Sequence, residues 1–183
     1  MLHTFIVYVE NKPGVLSRVV SLFRRRAFNI DSLTVGRTEK PEVSRMTIVV
    51  DADEDQARRI VANVYKLVNV LLVDDITSEA AIVRDLALIK VEASQEARSQ
   101  VLELANVFRA RVVDVASDSL TLEITGTEDK IDSLLGVLRP LGLVEVVRTG
   151  QVAMRRGAKP ATVTTKQGAV GTIVDDDSVS YSV

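Results

Sequence analysis

The chain has 183 residues, 46% of them hydrophobic, enough to bury either one large core or two small ones. With 23 basic and 25 acidic residues its formal net charge is −2, so no broad positive field marks a nucleic-acid or anionic-membrane partner. Cysteine is absent, which removes disulfides, thiolate nucleophiles and cysteine-based metal sites together. The single histidine, His3, has no second imidazole with which to build a metal pair or a proton relay. The start MLHTFIVYVENK lacks the basic and apolar regions of a signal peptide, and no apolar run approaches the roughly 20 residues that cross a bilayer. The expectation is a soluble, cytoplasmic protein.

From His3 to Val9 the residues are apolar, β-branched or aromatic, and Asn11, Pro13 and Gly14 then break the run, which predicts a strand followed by a loop. Val15, Leu16, Val19, Val20 and Phe23 recur at helical spacing, with Arg24, Arg25 and Arg26 at the end that complements the negative helix pole. Ile30 to Val35 and Met46 to Val50 read as strands joined by a polar loop, so they should form a hairpin. Asp53, Glu54 and Asp55 open a second helix whose apolar face is Ala57, Ile60, Val61 and Val64, and Val70 to Ile76 closes the unit as a strand. The order βαββαβ is that of a ferredoxin-like fold, with both helices on one face of a four-stranded antiparallel sheet.

The same order returns. Leu86 to Ala93 reads as a strand, Ala97, Val101, Leu102, Ala105 and Phe108 as a helical face, and Val112 to Ala116 and Leu120 to Ile124 as strands. Ile131, Leu134, Leu135 and Leu138 mark the second helix, and Val144 to Val147 the last strand, reached through Pro140 and Gly142. The fold class is therefore α+β, with two tandem ferredoxin-like domains over 1–77 and 85–150 and a linker over 78–84. Residues 151–183 lose periodicity and are rich in small and polar types, so they read as a mostly disordered tail. Its acidic run, Asp175 to Asp177, reads as solvation.

In the first strand neither face is polar, since Phe5, Val7 and Val9 alternate with Ile6 and Tyr8. With both helices on one side, the simplest cover for the other side is a second copy of the domain, by sheet packing or edge pairing. In the second unit Leu120, Leu122 and Ile124 alternate cleanly with Thr121, Glu123 and Thr125, so that sheet can leave one face in water.

Asn11-Lys12-Pro13-Gly14-Val15-Leu16 joins a strand to a helix, where backbone N–H groups lack intrahelical partners. A carboxylate docked there gains from those donors and the helix dipole, Gly14 permits close approach, and Asn11 offers a side-chain hydrogen bond. The plainer alternative is that Pro13 and Gly14 only make a good turn. Asn29-Ile30 lies a helix length away, and a partner domain would be needed to bring it close. Asn29 by itself also reads as a helix-stop residue.

The stretch FIVYVENKPGVLSRVVSLFRRRAFNIDSLTVG, followed by SRMTIVV, closely resembles the N-terminal ACT domain of acetolactate synthase small subunits. The N-x-P-G turn is loosely shared by many ACT domains. Its pairing with Asn29-Ile30-Asp31-Ser32-Leu33-Thr34-Val35 and with Ser44-Arg45-Met46-Thr47 is more specific, and Phe108-Arg109-Ala110 and Val112-Val113-Asp114-Val115 extend the resemblance to near Gly150. Pro13 is a minor departure. The resemblance implies a homodimer through ACT domains that binds valine or a related branched-chain amino acid at its interface. Asn11, Gly14, Val15 and Leu16 would hold the carboxylate and amino groups, and Asn29 and Ile30 would come from the neighbouring protomer. It also implies a non-catalytic regulatory subunit that activates a large catalytic subunit and confers feedback inhibition. Thiamine diphosphate, magnesium and FAD would then belong to that partner, since this chain carries no G-x-G-x-x-G fingerprint or P-loop. An ACT-type sensor serving another partner is the alternative. RNA binding, which a ferredoxin-like sheet can also support, would need aromatic platforms where this chain offers Val35, Met46 and Ile48.

Overall fold

The computed structural model describes residues 1–157, 162–164 and 170–172; Asp175 to Asp177 lie outside them. The described residues form two compact units, one of residues 1–82 joined by those from Ala153, the other of Val83–Val152. In the first unit β1 (Leu2–Glu10), α1 (Val15–Arg25), β2 (Ile30–Arg37), β3 (Val43–Asp51), α2 (Glu54–Tyr65) and β4 (Val70–Asp75) follow the expected βαββαβ order. The strands lie β2-β3-β1-β4, every neighbouring pair antiparallel, and β2-β3 is the expected hairpin.

The period of two along the strands decides what the helices cover. Phe5, Val7 and Val9 of β1 and Met46, Ile48 and Val50 of β3 form one core with Val15, Val19, Leu22 and Phe23 of α1 and Ala57, Ile60 and Val64 of α2. The buried stripe of α1 differs from the expected one. Leu22 belongs to it, whereas Leu16 and Val20 are 41% and 37% exposed. Helix α2 begins with a capping box, in which Asp53 Oδ1 accepts from the Gln56 N–H and Gln56 Oε1 accepts from the Asp53 N–H. Helix α1 ends in a Schellman turn: Ala27 is left-handed at φ 57°, the Phe28 N–H reaches the Phe23 carbonyl at 3.1 Å, and the two rings meet edge-on at 6.5 Å. The left-handed stop is thus Ala27, not Asn29.

The second unit contains most of β5 (Ala81–Glu92), then α3 (Gln95–Phe108), β6 (Arg111–Val115), β7 (Ser119–Gly126), α4 (Glu128–Leu138) and β8 (Leu143–Arg148), in the sheet order β6-β7-β5-β8. Its core joins Ala87, Ile89 and Val91 to Leu120, Leu122 and Ile124 under Val101, Ala105, Ile131, Leu134 and Leu138. Thr121, Glu123 and Thr125 occupy the other face, as their alternation predicts. Asp85 is buried in this unit because Arg148 Nε donates to it at 2.8 Å and the Thr149 hydroxyl at 3.0 Å.

Three expectations are corrected. The segment read as a linker over 78–84 is strand from Ala81 onward. Within the segment read as a tail, the described residues contain β9 (Val152–Arg155), which pairs with β5, and an antiparallel pair, β10 (Thr162–Thr164) with β11 (Val170–Thr172), while 158–161, 165–169 and 173–183 lie outside the described residues. Small and polar residues do not prevent a strand whose backbone finds a ladder partner and whose charges find ions. Finally, the second face of the first sheet is covered by this chain itself. Ile6, Thr47 and Val49 are buried there, and Ala153 of β9 is 2% exposed with its carbonyl accepting from Arg45 Nη2. Sheet packing by a second copy is not what buries that face.

His3 is fully buried, with Nδ1 3.0 Å from Asp75 Oδ2 and its ring stacked on Phe5. Burial acts to raise the Asp75 pKa, but hydrogen bonds from the Thr77 hydroxyl, the Thr77 N–H and His3 outweigh it and hold the carboxyl below its ordinary value. A depressed folded pKa stabilises the fold above the unfolded value, near 4, and that contribution is lost as pH falls through the folded value. Asp75→Asn is therefore expected to cost about 1–2 kcal/mol at neutral pH. Denaturant titrations of both proteins should show the gap closing below roughly pH 4, and a gap independent of pH would exclude the linkage.

Candidate effector site at the head of the first helix

The loop from β1 into α1 is built by its backbone. The Asn11 N–H donates to the Glu42 carbonyl at 2.7 Å, the Lys12 N–H to the Glu10 carbonyl at 2.9 Å, and Asn11 Nδ2 to the Pro41 carbonyl at 2.8 Å. Gly14 then adopts φ 80°, ψ −6° as the N-cap of α1. In that left-handed conformation a β-carbon is disfavoured, which explains the glycine. The space a β-carbon would take is open, with nothing within 4 Å.

No side chain caps α1, and its first turn holds no acidic residue. Helix α2 instead has Asp53, Glu54 and Asp55, and Ser94 caps α3. The Val15 N–H reaches the Lys12 carbonyl at 3.3 Å and the Arg18 N–H the Gly14 carbonyl at 3.1 Å, while the N–H groups of Gly14, Leu16 and Ser17 meet no acceptor among the described residues. Among the described residues, no carboxylate or side-chain cap complements the positive end of this helix dipole. Nearby side-chain cations are already engaged. Lys12 pairs with Glu10 at 3.1 Å, and Arg18 donates to Asn69. Glu10 is held below the ordinary glutamate value by hydrogen bonds from Asn69 and then Lys12.

One chain brings together Asn11, Gly14, Val15 and Leu16, but not Asn29 and Ile30. Those two follow the far end of α1, whose 11 residues span about 16 Å. Asn29 is exposed, and Ile30 packs partly against the first core. The Val15 side chain is buried in that core, so only its backbone lines the loop. Asn11 spends its amide donor on Pro41, which leaves the acceptor Oδ1 as the atom it can still offer. Sequence reasoning missed Ser17, whose open N–H follows from its place in the first helical turn. Among the described residues no group of three or more His, Cys, Asp or Glu could hold a metal ion, and no helix is long and apolar enough to cross a membrane.

A βαββαβ sheet whose first helix is headed by an open glycine turn, followed by a second ferredoxin-like unit, is an ACT-type architecture. Residues 5–72 match the model of the AHAS small subunit-like ACT domain, and residues 84–157 match that of the small subunit of acetolactate synthase. The chain is 48% identical to the acetolactate synthase small subunit of Mycolicibacterium smegmatis over 157 residues, 86% of this chain and 92% of that one. It is 50% identical to the Mycobacterium leprae small subunit over 157 residues, covering 86% and 93%. The crystal structure of the small subunit from Thermotoga maritima superposes with a TM-score of 0.81 at 37% identity, covering 87% of this chain and 99% of that one. This chain belongs to the acetolactate synthase small-subunit family.

Proposed function

We propose that this chain is a non-catalytic regulatory subunit that raises the activity of a large acetolactate synthase subunit and makes it sensitive to valine bound at the head of α1. The observation that carries the reading is the open helix head, where left-handed Gly14 and the N–H groups of Leu16 and Ser17 offer an uncapped positive pole to an amino-acid carboxylate. Asn11 Oδ1 suits the ammonium group, and the exposed Leu16 side chain suits an aliphatic one. Thiamine diphosphate, magnesium and FAD belong, on this reading, to the large subunit.

Asn29 and Ile30 complete the site from a second copy of the chain. Support comes from the exposed apolar side chains of Leu16, Val20 and Val35 on α1 and β2, with β2 at the end of the sheet order. A site shared by two copies gives the effector different affinities for two dimer geometries, which inhibition requires. Because Asn29 is exposed in the single chain, Asn29→Ala should leave the thermal midpoint nearly unchanged. It should weaken valine binding by about 1–3 kcal/mol in calorimetry, the cost of one lost partner in a closed site. Unaltered affinity would place Asn29 outside the site.

The deciding experiment is acetolactate formation by the matched large subunit, with and without this chain, across a valine titration. Stimulation that valine reverses is the expected result. Valine binding without any effect on that enzyme would instead assign the chain to a sensor for a different partner.

A further inference from the structure

After β8 the chain does not end its structural role. It crosses from the second unit at Val152 back into the first at Ala153, and there two guanidinium groups hold it. Arg45 of β3 lies over the Tyr8 ring at 5.7 Å, donates from Nε to the Tyr8 hydroxyl and from Nη1 to the Thr47 hydroxyl, and gives Nη2 to the buried Ala153 carbonyl. Arg155 forks onto Glu79, with Nη2 to Oε1 at 2.7 Å, and places Nη1 2.6 Å from Asp74 of β4. The Arg156 N–H then reaches the Ala80 carbonyl at 2.9 Å.

We propose that residues 153–156 are a clasp that passes the effector-bound state of the first unit to the second, with Arg45 and Arg155 as its positioning residues. The inference rests on the effector reading given above. Tyr8 and Asn11 are three residues apart, Tyr8 on β1 and Asn11 at the head of the candidate site, and Tyr8 pairs with Arg45 across the sheet. Asp74 is opposite Ile6 on the other side of the same strand. A change in the set of β1 therefore acts on both anchors at once. The Arg45 anchor grips a buried carbonyl, so releasing it leaves that acceptor unpaired, whereas the more exposed Arg155 pair exchanges its partners for water at lower cost. On this proposal the clasp has two arrangements, the held one of this structure and a released one, as coupling between distant sites requires. From Ala153 the chain runs back through only residues 149–152 to β8, so the clasp is a covalent route into the second unit.

The test uses the full chain with its matched large subunit and the Arg155→Gln variant. Valine affinity of the small subunit alone should stay within about twofold and stimulation should persist, while the valine needed for half-inhibition rises by roughly tenfold or more, within the usual range of coupling. Arg155→Lys, which keeps the charge but not the fork, should shift the same way by less. It also serves should Arg155→Gln fail to fold. Hydrogen exchange at residues 153–156 reports whether the clasp has opened. Unchanged inhibition with faster exchange there overturns the clasp alone. Affinity and inhibition lost in parallel would also overturn it, since the segment would then support the site rather than relay from it. A wild-type chain that binds no valine removes the effector reading itself.

Discussion

Gly14→Asp is expected to abolish the response to valine while leaving the fold and association with the large subunit intact. At φ 80° the substitution costs about 1 kcal/mol of backbone strain, which aspartate and asparagine tolerate better than other residues, and the position is open. The introduced carboxylate falls where the ligand's carboxylate would meet the helix head. Two such charges about 4 Å apart at a partly screened site repel by roughly 4 kcal/mol, a loss of affinity of at least a hundredfold. Gly14→Asn is the neutral control of equal shape and strain, and should lose about tenfold or less. Calorimetry on both variants separates charge from shape. Equal losses would assign the effect to backbone strain, and unaltered affinity in Gly14→Asp would move the site elsewhere.

Phe23→Ala should produce the largest loss of stability. Phe23 is fully buried in the first core, stacks edge-on with Phe28, and contributes the carbonyl that closes the Schellman turn of α1. Truncation removes the transferred apolar surface and leaves a cavity under a helix that partner strands hold in place, at a cost of about 3–5 kcal/mol. A domain is stable by only about 5–15 kcal/mol, so the first unit should melt well before the second and a single transition should become two. Scanning calorimetry reads this directly. A loss below about 1 kcal/mol would mean that α1 repacks over the void, at the low end of what core truncations show. Valine affinity should fall in the same variant, because α1 carries the open N–H groups at its head.

How much was legible before the fold was seen differs by residue. The alternation of Phe5, Val7 and Val9 and the helical spacing of Val15, Val19 and Phe23 are local patterns, so strand, helix and their buried faces could be read directly. The Gly14 turn was legible too, because a glycine between a strand pattern and a helix pattern has few conformations that continue both. Leu16 and Val20 were not, since hydrophobic spacing marks a wide stripe and only packing decides which part of it faces the sheet. Ala27 was missed in favour of Asn29 because alanine carries no stop signal; the Phe23–Phe28 contact compensates its strained backbone.

The sequence by itself determined two ferredoxin-like units, the family, and the backbone chemistry at the head of α1, all of which depend on residues close together along the chain. Tertiary structure alone decided that the chain returns to the first unit at Ala153, that Arg45 meets the Ala153 carbonyl, and that Arg155 meets Asp74 and Glu79. The reason is physical. Periodicity records which face of an element avoids water, but an ion pair between residues 74 and 155 leaves no trace in local spacing, since a charged side chain reads as solvated until its partner is placed beside it.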